Sequence, residues 1–341
     1  MLGEVQTVDF EYDLPAELIA QQPAEPRDSA RLMVLDRARG TIEHRAFRDL
    51  PDLLQPGDLL VVNDTRVMAA RLKGVRPDTG GTVEALLVSQ REDRLWAAMF
   101  RPARRATVGR QFEFQTGDGT VGAVCRGRDQ ELVLLEFDEV IDPSRAGSVP
   151  LPPYITAYKG DAERYQTVYA REARSAAAPT AGLHFTRKLF LALKQRGIER
   201  ADISLDVGPG TFRPVAEKDP SLHVMHSERY SVSEDAASAI GRADRDGRVV
   251  AIGTTVVRTL ETVAKLRGKV EAWEGETDLF LLPGAEFSVV NALITNFHLP
   301  RSTLLMLVAA FAGREFVLRS YQEAVRERYR FYSFGDAMLI L

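Results

Sequence analysis

The fold class that this sequence predicts is an α/β domain interrupted by a small antiparallel β-barrel. Three observations carry that expectation. From Tyr154 onward, helix-period and strand-period segments alternate, as they do in chains built from βα units. Between Leu72 and Phe137, short strand-like runs follow one another with no helix among them, which suits a small barrel or sandwich. Val149-Pro-Leu-Pro-Pro153 then supplies a segment that continues neither strand nor helix. The expected division is a discontinuous α/β domain over residues 1–66 and 151–341, with the barrel inserted over 67–150.

In chain order, Pro15 and Glu17 suit the first turn of a short helix ending before Pro23. Leu32–Asp36 and Thr41–Phe47 read as strands around a turn at Arg37–Gly40, and Gln55–Asp58 is a turn before the buried strand Leu59–Asn63. The barrel strands are expected at Leu72–Val75, Val83–Val88, Leu95–Phe100, Gln111–Phe114, Val121–Cys125 and Leu132–Phe137. Turn clusters fall at Pro77–Gly81 and Thr116–Gly119.

Beyond the barrel, Arg187–Arg196 reads as an amphipathic helix stopped by Gly197, Ile203–Gly208 as a strand and Glu234–Asp244 as a helix. Arg248–Gly253 is a buried strand leading into a helix from Thr255 to Leu266, and Val289–Asn296 is another strand. Glu315–Arg328 has the helical period, and Ala337–Leu341 closes the chain as a strand. The most apolar run, Leu304–Ala312, is nine residues long, whereas a bilayer span takes about 20. Ser302 or Thr303 can cap it and Gly313 suits its end. It reads as a buried helix, and no membrane segment is expected.

Composition narrows the class. The chain has 341 residues, 45% hydrophobic and 27% charged, ordinary values for a soluble globular protein of two domains. The first residues are acidic and lack a long apolar stretch, so no signal peptide is expected. A single cysteine, Cys125, excludes a disulfide framework and thiolate zinc sites, and fits a cytoplasmic location. Of five histidines only His223 and His226 are closely spaced, a weak pattern for a metal. None is expected.

Net charge is −4, which does not announce a nucleic-acid binder. Locally the balance reverses. From Asp64 to Arg110 ten Lys or Arg face five Asp or Glu, and Arg101, Arg104, Arg105 and Arg110 form the densest part. Alone, such a stretch reads as a solvated loop.

Ligands of open α/β sheets bind beyond the carboxyl ends of strands, and polar clusters fall at such ends here. They are Asn63-Asp-Thr-Arg66, Asp206-Val-Gly-Pro-Gly-Thr-Phe-Arg213, Gly253-Thr-Thr255 and Thr295-Asn-Phe-His298. Gly208 and Gly210 let a ligand approach the backbone. Thr254 and Thr255 open a helix whose free N–H groups favour an anion. Arg258 and Glu261 read either as ligand groups or as an i,i+3 ion pair. His184 and His298 are each as consistent with a satisfied buried histidine as with a catalyst.

The whole chain resembles the S-adenosylmethionine:tRNA ribosyltransferase-isomerase family of queuosine biosynthesis. The resemblance is carried by Asp13–Gln21, Arg27–Leu32, Gly57–Leu72, Leu151–Ile155, Tyr165–Ala170, Ala178–Phe185, Gly210–Val215, Met225–Glu228, Gly253–Glu261, Thr277–Phe280, Thr295–Gly313 and Tyr329–Met338. It implies an α/β catalytic domain with an inserted barrel. It also implies transfer and isomerisation of the ribosyl part of S-adenosylmethionine onto 7-aminomethyl-7-deazaguanine at the tRNA wobble position, giving epoxyqueuosine with loss of adenine and methionine. S-adenosylmethionine is then a co-substrate, and no retained cofactor, membrane or protein partner is expected of what would be a monomer. Two positions depart from the family pattern: Asp206 stands for a histidine and Asn291 for an aspartate. Asp206 can accept the same proton or hydrogen bond, and a catalytically silent tRNA-binding relative is the alternative.

Matched to that chemistry, His184, Asp206, His226 and His298 are the expected proton-transfer groups. Thr254, Thr255 and Arg258 suit a carboxylate, and Asp64 or Glu228 an ammonium. Phe185, Phe212 and Phe297 are candidates for stacking on a base, while Arg66, Gly208, Gly210, Thr211 and Asn296 complete the expected binding set. Arg71, Arg101, Arg104, Arg105 and Arg110 become candidates for RNA phosphates, with the single-stranded anticodon loop as target.

Overall fold

A computed structural model describes residues 5–142, 144–208 and 214–341. The chain divides into two units, Met1–Asp64 with Pro153–Ala170 and Pro179–Leu341, and Thr65–Pro152 with Arg171–Ala178. The first unit begins with β1 (Arg31–Asp36), β2 (Thr41–Ala46), the short α1 (Leu50–Leu53) and β3 (Leu59–Asn63). The second contains β4 (Arg66–Val67), β5 (Arg71–Val75), β6 (Thr82–Glu92), β7 (Leu95–Arg101), β8 (Gln111–Thr116), β9 (Gly119–Asp129), β10 (Leu132–Phe137) and β11 (Ala173–Ser175). The first unit resumes with α2 (Arg187–Gln195), β12 (Glu199–Leu205), β13 (Glu228–Val232), α3 (Glu234–Asp246), β14 (Val249–Ile252) and α4 (Thr254–Arg267). It ends with β15 (Trp273–Thr277), β16 (Ala292–Asn296), α5 (Thr303–Ala312), α6 (Arg314–Arg326) and β17 (Ala337–Ile340).

Among the described residues the first unit is built on a nine-stranded mixed sheet in the order β15-β13-β12-β3-β14-β16-β17-β1-β2. Its centre is parallel: β12 with β3, β3 with β14, and β14 with β16. Every residue of β3, β14 and β16 is buried, which is why these segments read as unbroken apolar runs and not as alternating ones. The outer strand β2 is mostly exposed and carries Glu43, His44 and Arg45, charges that discourage further pairing at an edge.

The second unit closes six antiparallel strands into a barrel, β10-β7-β6-β5-β8-β9. Alternation along β8 turns Phe112 and Phe114 inward. There they pack with Leu72, Trp96, Phe100 and Phe137.

Several elements differ from expectation, each for a visible reason. β13 and β15 were not anticipated, because Glu228-Arg-Tyr-Ser-Val232 and Trp273-Glu-Gly-Glu-Thr277 are polar strands on the sheet's flank. The helix expected after Pro15 is only a 3₁₀ turn, Ala16–Leu18. Residues 171–178, expected with the α/β domain, group with the barrel, where β11 pairs in parallel with β4. The buried helix α5 is capped by Ser302, whose Oγ accepts from the N–H of Leu305 at 3.2 Å. No helix among the described residues is long and apolar enough to cross a membrane.

The segment leading into β16 is held by one carboxylate. Glu261 of α4, buried, accepts from the main-chain N–H groups of Ser288, Val289 and Val290 at 2.8, 3.1 and 3.0 Å. It is therefore not the i,i+3 partner of Arg258. Glu261→Ala would leave these amides without an acceptor, and a buried unsatisfied donor costs about 1–3 kcal/mol. Urea denaturation should accordingly show a loss of about 3 kcal/mol or more, with a smaller loss in Glu261→Gln.

Candidate active site

Because β12, β3, β14 and β16 run in parallel side by side, the polar clusters that follow them share one edge of the sheet. Asn63 links two of these ends, its Nδ2 donating to Leu205 O at 2.9 Å and its Oδ1 accepting from Leu205 N–H at 3.0 Å. Asp64, just beyond, accepts from the Ser204 hydroxyl at 2.6 Å.

His184 ends a 3₁₀ turn, Thr180–His184, which lies close against its surroundings. A Cβ on Gly182 would overlap the Tyr169 hydroxyl. The turn brings Thr180 and His184 to Asn296, the last residue of β16. Asn296 Nδ2 donates to the carbonyl of Tyr332 at 3.2 Å, and its Oδ1 accepts from the Thr180 hydroxyl at 2.9 Å. A carbonyl can only accept, so this contact sets which end of the amide faces which way. Nδ2 also lies 3.2 Å from His184 Nε2. Nε2 must then be the acceptor, and the ring proton sits on Nδ1.

Burial presses the same way, lowering the His184 pKa to about 4, with only partial opposition from the Asp336 carboxylate. At neutral pH His184 is a neutral ring whose Nε2 lone pair is occupied and whose remaining donor is Nδ1–H. It lines a small cavity with Arg27, Arg164, Ser333, Phe334 and Gly335. Arg27 is anchored there by the carbonyls of Gln166, Leu183 and Glu163. The roles of Arg27, Thr180 and Asp336 were missed from sequence, although all three fall in motif blocks quoted above.

Ala181 of the same turn approaches the start of α4, lying 3.5 Å from where a Cβ on Gly253 would be. Thr254 and Thr255 are buried there. Arg258, one turn on, is not free to read a carboxylate. Its Nε donates to Leu279 O at 3.0 Å, its Nη2 to Thr277 O at 3.1 Å, and its Nη1 to buried Glu228. Glu228 is correspondingly not an ammonium receptor. Its other oxygen accepts from Gly208 N–H at 2.7 Å, so the pair ties the loop after β12 to α4.

His298 occupies a different setting. Thr295 and Asn296 leave β16 on opposite faces, and His298 bonds to Thr295, with Nε2 and Oγ1 2.9 Å apart. Its main chain is gripped by two tyrosines, the N–H donating to the Tyr321 hydroxyl at 3.0 Å and the carbonyl accepting from Tyr12. Burial lowers its pKa to about 3. His184 and His298 thus belong to the end of one strand but to opposite sides of it.

The remaining expected residues divide. Asp206 follows β12, its N–H donating to Arg229 O at 2.9 Å. His226 is exposed in the segment before β13. Two aromatics proposed for base stacking are core. Phe185 lies against Phe190 and Phe47, with centroids 4.8 and 5.0 Å away, and Phe297 is enclosed by Tyr321, Tyr329 and Phe331. Gly210, Thr211 and Phe212 lie outside the described residues. Asn291 sits at the opposite, exposed end of β16, where its Oδ1 accepts from Val249 N–H at 2.7 Å. An aspartate could do the same, so this departure does not touch the site.

In the second unit, Arg66 is part of β4, its N–H donating to Glu172 O at 2.9 Å. Arg71 donates to Leu151 O at 3.3 Å, and Arg110 pairs with Asp78 at 3.0 Å. Arg101, Arg104 and Arg105 are exposed around a 3₁₀ turn. The carbonyl of Ala103 in that turn accepts from Arg128 at 2.7 Å. Among the described residues no group of three His, Cys, Asp or Glu is placed to hold a metal.

Comparison with known proteins adds to this geometry. A family model described as queuosine biosynthesis protein matches residues 7–340. The S-adenosylmethionine:tRNA ribosyltransferase-isomerase of Symbiobacterium thermophilum is 55% identical over 339 residues, covering 98% of this chain and 99% of its own length. That of Moorella thermoacetica is 55% identical over 338 residues with the same coverage. A crystal structure of S-adenosylmethionine tRNA ribosyltransferase from Thermotoga maritima is 41% identical, with a TM-score of 0.58 over 98% of this chain and 100% of that one.

The buried histidines make stability depend on pH. A histidine with its pKa lowered from 6.5 to about 4 is protonated more readily in the unfolded chain. Its contribution is complete above pH 6.5 and is lost as pH falls toward 4. In that window each such histidine contributes a slope of up to about 1.4 kcal/mol per pH unit. Replacing His184 by Gln should flatten the pH dependence of unfolding by about one proton between pH 6.5 and 4.

Proposed function

The chain belongs to the queuosine biosynthesis protein family, and from that premise we propose that it is an S-adenosylmethionine:tRNA ribosyltransferase-isomerase. It transfers the ribosyl part of S-adenosylmethionine to the aminomethyl group of 7-aminomethyl-7-deazaguanine at the tRNA wobble position. The sugar rearranges to an epoxycyclopentane, and adenine and methionine leave. The sulfonium nucleoside is consumed, so it is a co-substrate and not a methyl donor. In this reading the protein needs no retained cofactor or metal and works as a monomer in the cytoplasm.

The observation that carries the site reading is the meeting of His184, Asn296 and Thr180 with the start of α4 at one sheet edge. A neutral imidazole offering Nδ1–H is suited to donate to the charge that develops on the departing adenine. It is poorly suited to be a base, since Asn296 occupies its lone pair. The C5′ proton is acidified by the adjacent sulfonium, and a modest base suffices for it. Asp206, which follows β12 at the same edge of the sheet, is the carboxylate we assign to it. Arg101, Arg104 and Arg105 supply an exposed cationic surface for the anticodon stem-loop, and such contacts position RNA without reading its sequence. Asp206 in place of the family's histidine leaves a silent tRNA-binding relative as the second reading.

Incubation with S-adenosylmethionine and an anticodon stem-loop carrying the modified base should release adenine and raise the RNA mass accordingly. S-adenosylhomocysteine as the product would mean methyl transfer, and RNA binding without adenine would mean the silent relative. Arg104→Glu with Arg105→Glu should raise KM for the RNA about tenfold at low salt and leave kcat little changed, and the difference should shrink as salt rises. His184→Ala should lower kcat by about 10²-fold or more, with less effect on KM for RNA. An unchanged kcat in a folded variant would remove His184 from the chemistry.

A further inference from the structure

We propose that the N-terminus of α4 is the binding site for the α-carboxylate of the amino-acid arm of S-adenosylmethionine, a deepening of the proposed function that rests on it. The first observation is a helix start that no side chain among the described residues caps. α2, α3 and α5 are capped by the side chains of Thr186, Ser233 and Ser302, which accept from N–H groups in the first turn. α4 has Gly253 as its cap residue and no side-chain cap. Its first intrahelical bond runs from Val257 N–H to Gly253 O at 3.4 Å, leaving the N–H groups of Thr254, Thr255 and Val256 ahead of the ladder.

Position makes this unusual. α6 also begins at a glycine without a side-chain cap, but Gly313 is exposed and water can serve it. Thr254 and Thr255 are only 6% and 8% exposed, and Val256 is fully buried. Main-chain donors buried without acceptors are costly, and native structures rarely leave them so. Gly253 adopts φ 91° and ψ 157°, a region essentially confined to glycine. A capping Ser or Asp is therefore sterically excluded from the one place where it would help.

The second observation is independent of the helix backbone. The Thr255 hydroxyl is buried and makes no hydrogen bond among the described residues. Its Oγ1 lies 3.8 Å from where a Cβ on Gly253 would be, so it stands beside the uncapped turn. Three N–H groups ahead of the ladder and one unpartnered hydroxyl thus lie together at the first turn of α4, beyond the end of the parallel strand β14. The donors, together with the positive end of the helix dipole, select an anion.

The charge of that anion follows from Arg258. Its guanidinium is bound to Glu228 and to the carbonyls of Leu279 and Thr277, so it does not add a free positive charge here. A dipole with neutral donors matches a singly charged carboxylate better than a phosphate dianion. Of the groups on S-adenosylmethionine, only its carboxylate fits that description.

The test compares Thr255→Val with the wild-type chain by calorimetry, using S-adenosylmethionine and its decarboxylated analogue, which keeps the sulfonium and the adenosine. Valine keeps the branched shape and removes only an unpartnered hydroxyl, so the unliganded variant should fold and melt about 2 °C higher. Loss of one hydrogen bond to a charged group should weaken S-adenosylmethionine binding about 10-fold or more. Binding of the decarboxylated analogue, already weaker to the wild type, should not change.

Equal weakening of both ligands, or of neither, would overturn the site while leaving the proposed reaction standing. So would equal binding of both by the wild type. Weakened binding of an unmodified anticodon stem-loop, with S-adenosylmethionine unaffected, would reassign the site to a backbone phosphate and overturn it too. A wild-type chain that binds neither sulfonium compound would overturn the proposed reaction itself, and the carboxylate site with it.

Discussion

A parallel sheet covered on both faces can expose its chemistry only at its ends. In this molecule β12, β3, β14 and β16 are adjacent and parallel, and the last three are buried throughout. Side chains within these strands, such as Val62, Ile252 and Ile294, are spent on the core. The polar residues at and beyond the strand ends are the ones left for chemistry, and all are delivered to one edge. Everything else about the site depends on this. His184 comes from a distant turn, yet it reaches the strand ends because Asn296 finishes β16 there.

Polar groups gathered at such an edge must be satisfied, and most of them are satisfied by the protein itself. At this edge Asn63 answers both main-chain groups of Leu205, and Glu228 answers Arg258 and Gly208 together; at the other end of β16, Glu261 answers the three amides that precede the strand. These polar and charged residues are structural ties, each holding a loop to a helix or a strand to its neighbour. Against that background the start of α4 stands apart, with buried donors and a glycine where a cap would be.

The fold was largely legible because its signals are local. Apolar runs such as Leu59-Leu-Val-Val-Asn63 give burial away directly, and the barrel strands are marked by turns rich in Gly, Asp and Thr. β13 and β15 were not legible. Their polar, alternating residues satisfy a half-exposed flank strand, and no short-range pattern separates that from a loop. The site was legible as a set of strand ends but not as a set of roles. His184 and Asn296 lie 112 positions apart, and the orientation of the amide depends on a third residue, Tyr332. Arg258 and Glu228 read as ligand groups because sequence cannot show that they have found each other. Phe185 and Phe297 sit beside motif residues in the chain while their rings point into the core.

The position of β17 has a consequence for how the protein is made. It lies between β16 and β1, antiparallel to one and parallel to the other. The hairpin of β1 and β2, synthesised well before β17, has no place in the sheet until residues 337–340 have followed. While it waits, β1 exposes the side that β17 will cover, and a nascent chain in that condition is a natural client for a chaperone.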